Sequence, residues 1–363
     1  MRRICGSAGW LAWVLVGALV GPVHGQWTNA ARLSDPLHTG DNKEPRLTGR
    51  AADGFHAAYR HFASNGVEVW VRSWQGGVLR TGVKVHSLGF LAGGEICEAG
   101  DGSVHIVWEN WDDANEQIWW ARSTDGGLTF PAKQAVSSYG TSPNGQAKNP
   151  MVVPFGSATG AQALVLSWGA PPQDRMYHNR FDGASFLGHT NSGISTSNSY
   201  AAWGAARSSL DGSVWRTYGR EASGLWQIYL RRFDGTSWTG EQAVSTHTGS
   251  GFASRPQVAI NAAGEIMVVW DSDEGVYWRL RSAAGTWTSM QRLDDGYTPA
   301  LTAMPGTNDF YLAHPYPKGQ WNHIVGRRWS GGAWSARERV SQALPDDYSP
   351  NCDVTADAQG NIF

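Results

Sequence analysis

The chain has 363 residues, 45 of them glycine and 20 tryptophan, with 17% charged residues and three cysteines. Aromatic residues at 12% exclude a disordered chain, and a formal charge of −2 excludes the basic field that nucleic acid or an anionic membrane surface requires. Abundant glycine without a collagen period, set among many aromatics, suits short strands joined by tight turns.

At the N-terminus, Arg2 and Arg3 precede an apolar stretch over 10–20, too short for a comfortable bilayer span, and Val23-His24-Gly25 offers small residues for cleavage. The expectation is a signal peptide over 1–25, with Gln26 as the mature N-terminus. Export to the cell surface, periplasm or medium follows, with no membrane span in the mature chain. An uncleaved anchor is the competing reading. Cys5 lies ahead of the apolar core, where a lipid-anchoring cysteine does not sit.

From residue 27 onward a repeat governs the chain. An aromatic residue followed seven positions later by Ser or Asp recurs at Trp27/Ser34, Phe130/Ser137, Trp238/Ser245, Trp287/Asp294 and Trp334/Ser341. The last four follow glycine-bearing turns, the signature of a hairpin entering an outer strand. Upstream in each unit an apolar run ends at Tyr59, Trp108, Trp168, Tyr218, Trp270 or His314. A spacing near 50 residues is the size of a four-stranded propeller blade. The third strand of each unit carries an arginine before its hairpin: Arg72, Arg122, Arg180, Arg232, Arg281 and Arg328. Six arginines at one repeated position point to blade packing.

Six complete units are expected at 45–85, 94–137, 149–193, 200–245, 256–294 and 298–341. Residues 27–34 read as the outer strand of a seventh blade. Residues 351–363 read as its first strand, a turn at Asp357-Ala358-Gln359-Gly360 and the start of a second strand. The expected architecture is therefore an all-β propeller, a single domain over 26–363. Seven blades, the last incomplete because the sequence looks cut in mid-strand, are expected, with six as the alternative. Cys97 and Cys352 fall in blades separated by another blade, so no disulfide between them is expected.

Ser123-Thr124-Asp125-Gly126-Gly127-Leu128-Thr129-Phe130 matches the Asp-box pattern. With the strand Ile118-Trp119-Trp120-Ala121-Arg122 and the recurrent closing Val-Ser, the chain resembles the BNR/Asp-box repeat proteins of the sialidase-like β-propeller superfamily. The resemblance implies that the box is structural. Ser123 and Asp125 cap turn amides, Gly127 permits positive φ, and Thr129 and Phe130 lead into the outer strand. Sialidases hold a substrate carboxylate with arginines. Their Arg-Ile-Pro motif is missing here, and Arg46, in Glu44-Pro45-Arg46-Leu47, is the one position that carries over.

In a propeller the inner strands start on the binding face, which selects Glu109, Asp112, Asp271, His61, His314 and Tyr316 as catalytic candidates beside Arg46. Paired carboxylates there would serve as acid and base on a glycoside. Trp111, Arg220, Tyr297 and Tyr348 are candidates for ligand binding, the aromatics by stacking on sugar rings. Glu109 and Asp271 also read as turn caps, and the tryptophans in repeat register as packing. No metal spacing occurs and no cofactor is expected. Asp271-Ser272-Asp273-Glu274-Gly275 offers oxygen ligands for Ca²⁺ but lacks the length of an EF-hand loop. The sequence thus points to an exported monomer that binds a glycan or cell-surface protein. The rival reading is a sialidase-like hydrolase or a polysaccharide lyase using His and Tyr.

Overall fold

The computed structural model describes residues 13–15, 30–32, 42–64, 66–88, 91–110, 117–137, 147–169, 175–195, 199–207, 210–248, 252–318, 321–341 and 352–363. They form an all-β propeller of six four-stranded antiparallel blades, two of which carry one further short strand. The blades start at the inner strands Asn42–Gly49, Leu91–Glu98, Ala147–Pro154, Ser254–Ile260, Ala300–Ala303 and, in the fourth, Ser199–Arg207. Each inner strand pairs with the second, and the second with the third. The blade limits fall within a few residues of the repeat arithmetic.

Alternation along each second strand buries one face against the preceding blade and the other against the next. In Val104–Asn110 every residue is buried. Val104, Ile106 and Trp108 pack on Ala58, Val67, Val69 and Val71 of blade one. Val107 faces Val152 and Val165 of blade three. The same arrangement joins blades three and four through Leu164, Leu166 and Val214. Trp215, Val268 and Trp270 join four and five, and Val269, Phe310 and Leu312 join five and six. Trp108 and Trp270 are fully buried, which makes them packing residues, as their repeat register implied.

The seam between blades six and one is built differently. Residues 352–363 form a short hairpin, held by the Thr355 and Phe363 amides and carbonyls at 3.0–3.1 Å. Val354, Ala356 and Ile362 pack on Tyr311 and Ala313 of blade six. Phe363 packs on Phe55, Ala57 and Tyr59 of blade one. The turn is the one read from Asp357 to Gly360: Gly360 has φ +80°, and the Asp357 carboxylate accepts the Gln359 and Asn361 amides and, at 2.8 Å, that of Gly54 in blade one.

The described residues contain no seventh four-stranded blade. Ala30–Arg32, inside the segment expected to pair with the C-terminal chain, pairs instead with Trp13–Leu15, Trp13 opposite Arg32. Closing a loop of about 15 residues rather than about 300 costs roughly 2.7 kcal/mol less in chain entropy, which favours the local partner. Cys97 and Cys352 are both free thiols. Among the described residues no helix is long and apolar enough to cross a membrane.

Candidate functional site

The inner strands enclose a central channel of about 870 Å³. Four of them open on an X-Pro step: Glu44-Pro45, Asn149-Pro150, Arg255-Pro256 and Thr298-Pro299. Asn149, Arg255 and Thr298 hold φ values of 46–49°, a left-handed conformation that non-glycine residues adopt only when their surroundings impose it. At two of the three the imposing group is an acid of the preceding blade. Glu109 Oε2 accepts the Asn149 amide at 3.1 Å, and Asp271 Oδ2 accepts the Thr298 amide at 2.8 Å. Asp271 also accepts from Ser254 Oγ at 2.5 Å and Arg255 Nη1 at 3.2 Å. Both acids are almost fully buried. They cap the start of the next inner strand in the neighbouring blade, in place of the adjacent turn that the sequence reading gave them.

Arg46 stands in the channel wall, partly exposed. Its Nε donates to Glu95 Oε1 at 2.5 Å, and it lies within electrostatic reach of Asp353 in the C-terminal hairpin. Desolvation raises the Asp353 carboxyl above the usual carboxylate range, against the opposing pull of Arg46 and the Leu47 and Val354 amides. Arg60 and Arg255 line the same channel. Its walls mix apolar residues, Ile96, Val152, Val258, Leu301 and Val354, with polar ones such as Glu98, Thr302 and Thr355. Cys97 and Cys352 line it too, their thiols pushed up by burial.

The other candidates lie apart from the channel. His61 is buried at the end of the second strand of blade one, near Glu68. His314, fully buried, stands 3.7 Å from Asp294, which also accepts from Arg327 and Arg337 at 2.9 and 3.1 Å. Burial alone would raise the Asp294 carboxyl, but the bonds from Arg327 and the proximity of His314 outweigh that and hold it low. Arg337 stacks on Tyr316 with its guanidinium carbon 4.1 Å from the ring centre, so the fold does bring His314 and Tyr316 into one polar cluster. Arg220 pairs with Glu241 at 2.7 Å and covers the Tyr229 ring. Tyr297 is partly exposed. Trp111, Asp112 and Tyr348 lie outside the described residues.

The acidic loop after Asp271 does not converge on one point. Asp271 turns to the Thr298 amide, and the Glu274 carboxylate accepts the Tyr277 hydroxyl. Among the described residues no group of three His, Cys, Asp or Glu side chains stands close enough to hold a metal ion. The sequence reading missed Glu95 and Asp353. Aligning the inner strands would have found them, because both occupy the position of Arg46, the residue after the X-Pro step. It also missed the partly exposed pair Trp226 and Phe252, with ring centres 5.5 Å apart near the start of blade five.

The opposite end of the propeller is a set of staples. Ser123 Oγ donates to Asp125 Oδ1 at 2.6 Å and accepts the Gly127 amide at 2.8 Å. Asp125 takes the Leu128 and Thr129 amides and the Thr129 hydroxyl, and with Ser123 these hold its pKa down at about 2. Phe130 packs on the seam between blades one and two. Of the six repeated arginines, Arg122, Arg232 and Arg328 pair with Asp101, Asp211 and Asp309. Arg122 and Arg180 also reach the Gly183 and Gly235 carbonyls of the following blades.

No protein-family profile matches the chain, and no curated protein does. Solved structures do match. An α-L-arabinanase from Penicillium chrysogenum, complexed with arabinobiose, is similar at 12% identity and TM-score 0.56, covering 92% of this chain and 99% of the other. An ulvan lyase of a polysaccharide lyase family, bound to -[GlcA(1-4)Rha3S]-, is similar at 13% identity and TM-score 0.57, covering 88% and 87%. A leech intramolecular trans-sialidase complexed with 2,7-anhydro-Neu5Ac is similar at 9% identity and TM-score 0.51, covering 86% and 80%. At such identities the likeness is one of fold. These neighbours are β-propellers that act on glycans.

Proposed function

We propose that this chain is an exported, monomeric propeller that binds an extracellular glycan at its channel mouth as a binding or scaffold module. The observation that carries the reading is Arg46, held against Glu95 and within reach of Asp353 in the channel wall. A guanidinium beside carboxylates sets donors next to acceptors on a partly exposed surface. Each sugar hydroxyl both donates and accepts, so such a pairing suits vicinal hydroxyls, and its balanced charge favours a neutral glycan. Arg60 and Arg255 extend the polar lining. Glu109 and Asp271 are spent on backbone amides, which takes the two acids in repeat register out of service as catalysts. No cofactor enters this account.

A second reading, a glycoside hydrolase, is favoured by one observation. Asp353 has a raised proton affinity, while Glu95 is ion-paired with the Arg46 that Asp353 also feels, and a carboxyl inclined to hold its proton beside a charged one is what acid–base catalysis uses. The deciding experiment is a glycan array followed by incubation of each bound glycan with the protein, reading reducing-end release and unsaturated products. Binding of neutral oligosaccharides without product is expected. Product that accumulates with time, and stops in Asp353→Asn, would replace the binding reading with the hydrolase.

A further inference from the structure

Arg216 occupies the second strand of blade four, Val214–Ala222. Alternation places it in the row of Val214 and Tyr218. Val214 packs on Leu164 and Leu166, and Tyr218 on Met176 and Ile194, so this row faces blade three. Arg216 has no exposed surface, and its Nε, Nη1 and Nη2 all lack a hydrogen-bond partner. Burial pushes its pKa down to about 9, which still leaves it charged at neutral pH, with Glu95 acting on it only electrostatically. Glu95, however, is held by Arg46. The Tyr218 hydroxyl is bonded to Glu241, and Thr217 Oγ1 to the Gly204 carbonyl.

A guanidinium cannot shed its charge as a buried lysine does, and sealing one from water with no acceptor costs several kcal/mol. Arg50 shows the contrast, since its nearby Glu98, 3.7 Å away, supplies a counter-charge. We infer that Arg216 holds a small inorganic anion of halide size between blades three and four. The enclosure of the guanidinium excludes a sugar as the occupant. The inference does not rest on the glycan reading, although Glu95 is common to both.

The test compares melting of the full chain in sodium chloride, bromide and gluconate at equal ionic strength, for wild type and Arg216→Met, which fills the same space without charge. Chloride should raise the wild-type melting temperature by about 2 °C per tenfold concentration above its dissociation constant, gluconate should not, and Arg216→Met should lose the response. Crystals grown in bromide should show an anomalous peak within contact of the guanidinium. Equal melting in chloride and gluconate would overturn the proposal. So would a chloride response kept in Arg216→Met, a sodium glucuronate response without a chloride one, or ordered waters alone on the three nitrogens.

Discussion

The two ends of the propeller use the same residue types in opposite ways. At the hairpin end the polar side chains close local turns: Asp125 caps amides three and four residues ahead, and Asp234 those two and three ahead. At the channel mouth the partners are far apart in sequence. Arg46 and Glu95 are separated by 49 residues, Glu109 and Asn149 by 40, and Leu47 and Asp353 by 306. The hairpin end closes its turns within each blade and adds single contacts to the next, as from Arg122 and Arg180, whereas the mouth exists only when neighbouring blades are docked. That makes the mouth the place where a ligand and the fold can be coupled.

The largest effect should come from a mouth staple. Asp271→Ala strips one acceptor from the Thr298 amide, Ser254 and Arg255 at once, and removing a buried charged partner costs about 3–5 kcal/mol. A urea midpoint unchanged by this substitution would break the distinction between the ends.

Acid should act next, through the histidines. His105, buried and bonded to Ser103 and Trp120, has its pKa lowered to about 3 by desolvation first and Arg122 second. His178 is lowered to about 4, again chiefly by desolvation. The unfolded chain takes up these protons near pH 6.5 and the folded chain does not. The stability is therefore complete above pH 6.5 and drains away as pH falls toward those folded values, at about 1.4 kcal/mol per unit for each histidine. Chemical denaturation between pH 7 and 4 checks the slope, which His105→Gln should flatten. Smaller still is Asp125→Ala. It loosens one exposed turn and should lower the melting temperature by about 2 °C, without touching ligand binding.

The same contrast explains what was legible in the sequence. Blade limits, turns, the Asp box and the repeated arginines rest on short spacings, and all could be read in order. Arg46 was found through the Pro45-Arg46 step, but its partners were not, because Glu95 follows Gly94 rather than proline and Asp353 lies in a segment read only as a strand start. The six-bladed count also escaped the leading expectation, because the C-terminal hairpin fills the seam between blades six and one directly. The Arg216 position gave no signal, because an arginine in an apolar strand does not announce its lack of a partner.

The most direct test of the account is titration calorimetry of wild type, Arg46→Gln and Glu95→Gln against the neutral oligosaccharide ranked first on the array. Both variants should lose at least tenfold in affinity, with melting temperatures within about 2 °C of wild type, as expected when a partly exposed ion pair is removed. Undiminished binding in both variants would contradict the role given to Arg46 and move the site away from the channel mouth.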